Sequence, residues 1–427
     1  MRPERRSVMF DMWHNEDMPH ESGKFGSSGI FDQSKVRLLS SVSFILGFLD
    51  AFLIYILSSY FVQISGEHLV GGFYLAAFVF VLWLLMHLQP LIHGVGSVRL
   101  LSMLLMGLIG ASFFLSLQEP SWAGAGTLLF FMVCSNTVWV VMDVLVEDFS
   151  VDRVSGRVRG LYLTVMNAGL LLAPILSTKT LALAGYPGIF TALGIGYMAV
   201  FIVVLVSLRQ HQTSRLPRVA FLDTLRKVMG RPNLLRIYAI SWTLEFFYAV
   251  MIIYAPILLL SQGFDWERIG FIFTVMLIPF VLVQYPLGIL ADKKWGEKEL
   301  LFVSLVVLGI SSVAVGITRS TDIVFWAALL FVTRLGAAAI EVLRDSYFYK
   351  QIGPTDTDSV AFFRTARPTA DIAAAGISLA FLSVFSVHSL FFLVGAVALG
   401  ACFAALSLDD SRSESELHQP DAPPGRS

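Results

Sequence analysis

The sequence predicts an all-α membrane protein whose twelve transmembrane helices form two pseudo-symmetric six-helix bundles. Three observations predict this class. The 427 residues are 56% hydrophobic and only 14% charged, with 35 Phe and a mean hydropathy of +0.73, whereas a soluble domain is about half apolar and a quarter charged. The apolar residues gather into twelve stretches, each near the ~20 residues a helix needs to cross a ~30 Å hydrocarbon core. The first six stretches also match the last six at a nearly constant shift.

In chain order, residues 1–36 are polar and charged and lack the short apolar core of a cleavable signal. They read as a cytoplasmic N-terminal segment, and the first span is expected to stay in the protein. A first half, 37–208, holds spans near 38–64, 69–92, 99–118, 125–146, 160–183 and 187–208. The basic stretch 209–234 follows and contains "VAFLDTLRKVM", the pattern of a short amphipathic helix lying at the membrane surface. A second half, 235–408, holds spans near 235–261, 267–291, 299–318, 322–349, 360–385 and 388–408. The tail, 409–427, is polar and reads as disordered and cytoplasmic. Backbone polar groups cannot stay unpaired in lipid, so each span is expected to be a helix.

Orientation follows from Lys and Arg. With the N-terminus in the cytoplasm, Arg99, Arg153, Arg157, Arg159, Lys293, Lys294, Lys298, Lys350 and the whole basic stretch fall on the inside. Lys179, Arg268 and Arg319 fall outside. That asymmetry obeys the positive-inside rule and places both termini in the cytoplasm. A net charge of −1 gives no global field toward nucleic acid. Cys134 and Cys402 lie in apolar runs and suit neither a disulfide nor a metal site.

The two halves repeat each other. "SFILGFLDA" (43–51) lies over "SWTLEFFYA" (241–249) at a shift of 198. Asn136, Asp143 and Glu147 form one helical stripe in the fourth span, and Arg334, Glu341 and Asp345 repeat it in the tenth at the same shift. Glu67 and Gly96 match Glu267 and Gly296 at a shift of 200. Together these matches indicate a duplicated six-helix unit, as in many secondary transporters.

Ionisable residues deep in a span are costly and mark either function or a structural pair. Asp50 is mid-span and has no basic residue three or four positions away. Glu245 lies one turn before Tyr248, the position that matches Asp50. Asp50 and Glu245 are therefore the candidates for proton coupling, since a carboxylate whose hydration alternates between two states can take up and release a proton. Tyr55, Asn136, Trp139, Asp143, Tyr248, Arg334 and Glu341 are the candidates for lining a substrate cavity. Arg367 and Asp371, four residues apart, are expected to pair with each other.

Two motifs carry a family resemblance. In "GILADKKWGEKELL" (288–301), Gly288, Asp292, Lys293, Gly296 and Lys298 stand as in the loop between helices eight and nine of the major facilitator superfamily, which the sequence resembles over about 37–408. In "GLYLTVMNAGLLLAP" (160–174), Gly160, Gly169 and Pro174 resemble the helix-five motif of that family's antiporters. There, Ala173 stands in place of the usual Gly, and Ser177 and Thr178 in place of the following Gly pair. The first-half copy of the loop, "PLIHGVGSVRLL", keeps Gly96 and Arg99 but has Ile92 where the Asp would stand.

The resemblance implies a secondary transporter that works by alternating access. It implies that the 288–301 loop is a cytoplasmic latch, with Asp292 near the N-terminal end of helix eleven, Arg344 as a second partner and the lysines facing anionic headgroups. A proton-coupled antiporter exporting a cationic or amphipathic compound is expected, because cavity acids outnumber cavity bases. Arg334 keeps a uniporter or symporter of a sugar or organic anion open, and a transport-inactive receptor or scaffold is the other alternative. No ATP-binding glycine loop and no metalloprotease or intramembrane aspartyl protease motif occurs. The expected partners are a small solute, protons and membrane lipid, with no nucleic acid, no metal and no cofactor, and the chain is expected to be a monomer. No Asn-x-Ser/Thr site occurs, which is compatible with a bacterial inner membrane.

Overall fold

The computed structural model describes residues 33–149, 155–208, 230–291, 296–352 and 357–409, and all regular structure among them is helical. The described residues form twelve helical segments in the order expected of the spans, and ten helical stretches among them, one of which joins two segments, are long and apolar enough to cross a membrane. α1 comprises Gln33–Ile54 and Leu57–Ser65, and α2 comprises Val70–Met86 and Leu88–Val95. α3 is Ser97–Ser116 and α4 is Trp122–Phe149. One continuous helical stretch, Ser155–Ser207, is two spans joined across Gly185, which has φ 61° and ψ −165°. α5 precedes that glycine and α6 follows it. The second bundle contains α7 (Pro232–Ser261), α8 (Trp266–Leu282 and Gln284–Leu290), α9 (Glu297–Ile317) and α10 (Ile323–Lys350). α11 (Thr357–Arg364 and Ala366–Leu382) and α12 (Val387–Leu406) complete it.

The interruptions within spans have local causes. A proline ring clashes with the carbonyl four residues earlier. α2 breaks after Met86, α8 after Leu282 and α11 after Arg364, four residues before Pro90, Pro286 and Pro368 respectively. α1 breaks at Tyr55 and Ile56 without a proline. There Ser59 Oγ donates to the Ile56 carbonyl at 2.6 Å and Ser58 Oγ meets the Tyr74 hydroxyl at 2.9 Å, and a serine pair of this kind bends a helix. The repeat also shows in the loops. Gly96 and Gly296 both have positive φ, 90° and 70°, and each immediately precedes the helix that follows its loop, α3 and α9. Only glycine adopts that conformation cheaply.

The bundles meet along two equivalent seams at the end of the molecule away from Gln33 and Asp409. A Cβ added to Gly71 of α2 would lie 2.8 Å from the Ala375 carbonyl of α11 and 3.2 Å from Leu379 N. A Cβ added to Gly270 of α8 would lie 1.9 Å from Thr178 Oγ1 and 3.2 Å from the Pro174 carbonyl of α5. Gly71 and Gly270, and likewise their partners, are related by the ~200-residue interval of the repeat. His68 Nδ1 closes the first seam against the Leu382 carbonyl at 2.6 Å. At the opposite end, Leu88–Val95, Gln284–Leu290 and Thr357–Arg364 pack chiefly within their own bundles. Among the described residues, the two bundles are thus joined at one end and parted at the other. The amphipathic stretch within 209–229, the N-terminal segment through residue 32, the tail from 410 and Asp292 and Lys293 of the loop motif lie outside the described residues.

Candidate functional site

The deep charges named from the sequence converge where the bundles part. Asp50 on α1 is held by three neutral donors of its own bundle. Ser135 Oγ on α4 donates to Oδ1 at 2.6 Å, Trp139 Nε1 on the same helix donates to Oδ2, and the Tyr197 hydroxyl on α6 donates to Oδ1 at 3.4 Å. Ser135 and Trp139 are four residues apart, so one face of α4 offers both. The basic residue that acts on Asp50 electrostatically is Arg367, from the other bundle.

The second bundle holds its charges differently. Arg344 on α10 donates from Nη2 to Glu245 Oε1 on α7 at 2.7 Å and from Nη1 to Ser241 Oγ at 2.7 Å. Its Nε also lies 3.4 Å from Asp345 Oδ1. Glu341, one turn earlier on α10, accepts from the Tyr248 hydroxyl at 3.2 Å and from Gln284 Nε2 at 3.2 Å. Arg334, two turns before Glu341, is only 2% exposed. Its guanidinium lies over the rings of Phe247 and Tyr248, at 5.2 and 5.4 Å from the centroids. Tyr55 is 7% exposed and packs its ring 4.7 Å from that of Phe273 across the bundle boundary.

Arg367 corrects an expectation. The spacing suggested a closed pair with Asp371, yet no direct ion pair joins the two. Arg367 is exposed although Asp371, Glu245, Asp50 and Glu341 all act on it electrostatically. An exposed side chain under the electrostatic influence of acids from both bundles is placed to face the space between them. Asp50, Trp139, Tyr248 and Glu341 are partly exposed toward the same space.

Other candidates fall elsewhere. Asn136 turns back on its own helix and donates to the Met132 carbonyl at 2.8 Å. Asp143 is exposed near the terminal end of α4. In the loop motif, Gly288 packs beside Val342 on α10, Gly296 caps α9, and Lys298 is half-buried in its first turn. Arg344, expected to assist that loop, is engaged by Glu245, Ser241 and Asp345. Beside the motif, the fully buried Glu297 is bound by Lys350 and accepts from Ser346 Oγ at 2.7 Å, bracing α9 to α10. In the helix-five motif, Gly160 and Gly169 lie within the Ser155–Ser207 helix, and the Pro174 carbonyl meets Gly270 at the seam. Sequence reasoning missed Ser135, Tyr197, Gln284, Phe247 and Glu297. Glu297 was the findable one, as an acid in the first turn of an apolar helix, whereas Tyr197 is one aromatic among many.

The sequence matches the family model of the Major Facilitator Superfamily over residues 39–340 and again over 267–425. No curated protein matches it. Among solved structures, the chain is similar to the POT family transporter PepTSo, at 11% identity over 87% of this chain and 97% of that one, with a TM-score of 0.68. It is also similar to an auto-inhibited POT family peptide transporter, at 13% identity over 91% of this chain and 99% of that one, with a TM-score of 0.70. At these identities the likeness is one of fold.

Proposed function

Because the chain belongs to the major facilitator superfamily, and is a multi-pass membrane transporter rather than an enzyme, we propose that it moves a small amphipathic solute by proton-coupled alternating access with Asp50 as the coupling site. The observation that carries this reading is the setting of Asp50. It is a mid-span carboxylate, partly open to the space between the bundles, and it is held by Ser135, Trp139 and Tyr197 but by no cation of its own bundle. A group so placed is neutralised either by a proton or by a charge from across the gap, and Arg367 is that charge. Closing or parting the bundles changes which of the two is available.

Glu245 is the weaker candidate, because Arg344 already neutralises it at 2.7 Å. With the termini in the cytoplasm, the joined seams lie outside and the structure is inward-facing. A bacterial inner membrane, export in exchange for protons and a monomeric transporter complete the reading. The helix-five motif at Gly160, Gly169 and Pro174 supports antiport.

The test is transport in proteoliposomes. Asp50→Asn keeps size and hydrogen bonding but cannot ionise. It is expected to retain exchange of solute loaded on both sides and to lose accumulation driven by a pH gradient. Gradient-driven accumulation that survives in Asp50→Asn and disappears in Glu245→Gln would move the coupling site to α7.

A further inference from the structure

We propose that Arg334 is the docking point for a carboxylate on the transported solute, an inference that rests on the transporter reading above and names the chemistry of its cargo. Arg334 is the one described buried cation of the second bundle that lacks a carboxylate. The other buried cation, Arg344, has Glu245 and Asp345, and even the exposed Lys350 has Glu297. Arg334 has no ion pair, and its buried Nε and Nη2 have no hydrogen-bond partner. Only the faces of Phe247 and Tyr248 attend it, and ring faces replace a counter-ion only in part. A guanidinium held dry and unpaired near mid-membrane is costly, and it is kept where an anion joins it during the working cycle.

The surroundings say which anion. Tyr248 stands between the two opposite charges, its ring beside Arg334 and its hydroxyl on Glu341. Glu341 is therefore held away from Arg334 rather than neutralising it. The wall around the guanidinium is aromatic: Phe247 and Tyr248 on α7, with Tyr55 of the other bundle within electrostatic reach and packed on Phe273. The Tyr55–Phe273 contact belongs to the joined end, so parting the bundles there uncovers Arg334. A planar guanidinium fork with two free N–H directions matches a carboxylate, and the aromatic wall suits an apolar body. The cargo is thus an amphipathic organic carboxylate. This narrows the reading from composition, in which acids outnumber bases. Glu245 is neutralised by Arg344, leaving Asp50 and Glu341 as proton carriers rather than as a cation site.

Thermal unfolding of the purified protein in detergent tests this, since a ligand that binds the folded form stabilises it. The probes are phenylpropanoate, its neutral amide phenylpropanamide and the cation phenylpropylamine. Phenylpropanoate is expected to stabilise the wild type while the amide and the amine do not. Arg334→Gln is expected to weaken its binding by at least about tenfold, and Arg334→Lys to weaken it less. Stabilisation by the amide or amine as strong as by the carboxylate overturns the inference. So does the absence of any effect of phenylpropanoate, or its unchanged binding to Arg334→Gln. If Arg334→Gln does not fold, Arg334→Lys decides, with unweakened binding counting against. Arg334-dependent binding without gradient-driven transport in the wild type would sink the coupling proposal and leave this one standing. Coupled transport of a solute indifferent to Arg334 would do the reverse.

Discussion

Arg344 on α10 donates to Glu245 on α7 at 2.7 Å, and this pair leaves Glu341, one turn away on α10, to Tyr248 and Gln284. Two acids that look equivalent in the sequence thereby acquire different surroundings. One is an ion pair that ties α7 to α10. The other is a carboxylate held by neutral donors.

The ion pair is expected to act on stability. Removing one partner of a buried pair leaves the other charge uncompensated, at a cost of about 3–5 kcal/mol. Glu245→Gln or Arg344→Gln should therefore lower the unfolding temperature in detergent, and the double variant should recover part of the loss. Additive losses in the double variant would mean that the pair contributes nothing as a pair.

The seam at Gly270 is expected to control which end is closed. A Cβ there meets Thr178 Oγ1 at 1.9 Å and the Pro174 carbonyl at 3.2 Å. Gly270→Ala should shift the balance toward the state parted at that seam, by about tenfold for each ~1.4 kcal/mol of clash. Thr178→Ala removes the nearer obstacle and should restore part of the balance. Distances between spin labels placed at Glu119 and Arg319 would report the shift. An unchanged distribution in Gly270→Ala would show that the seam accommodates a methyl group.

The loop motif is expected to govern rate rather than affinity. Asp292→Asn should slow transport several-fold while leaving binding of the solute intact, since one charge at a helix end is worth about 0.3–2 kcal/mol. Equilibrium binding and initial uptake rates measured on the same preparation separate the two effects. A loss of rate fully explained by a loss of affinity would remove the latch role.

Topology is checked by single cysteines in a Cys134→Ser, Cys402→Ser background. An impermeant thiol reagent applied to intact cells should label a cysteine at Ser121 and spare one at Ser214. The opposite pattern would invert the inward-facing assignment and the side from which Arg334 is uncovered.

How much of this was legible beforehand follows from the range of each interaction. Spans, repeat and breaks are local properties. Apolar length sets the helices, Pro90, Pro286 and Pro368 set three breaks within a turn of themselves, and Gly96 and Gly296 set their loops by backbone sterics alone. The sequence by itself also determined which residues are costly, because a charge inside an apolar span is expensive wherever it points. It could not determine what relieves the cost. Ser135 and Tyr197 reach Asp50 from helices 85 and 147 residues away in the chain. Arg344 reaches Glu245 across 99 residues. Only helix packing decides such meetings, because each helix presents its side chains by rotation about its axis. Packing alone paired Glu245, opened Arg367 to the space between the bundles and left Arg334 without an anion.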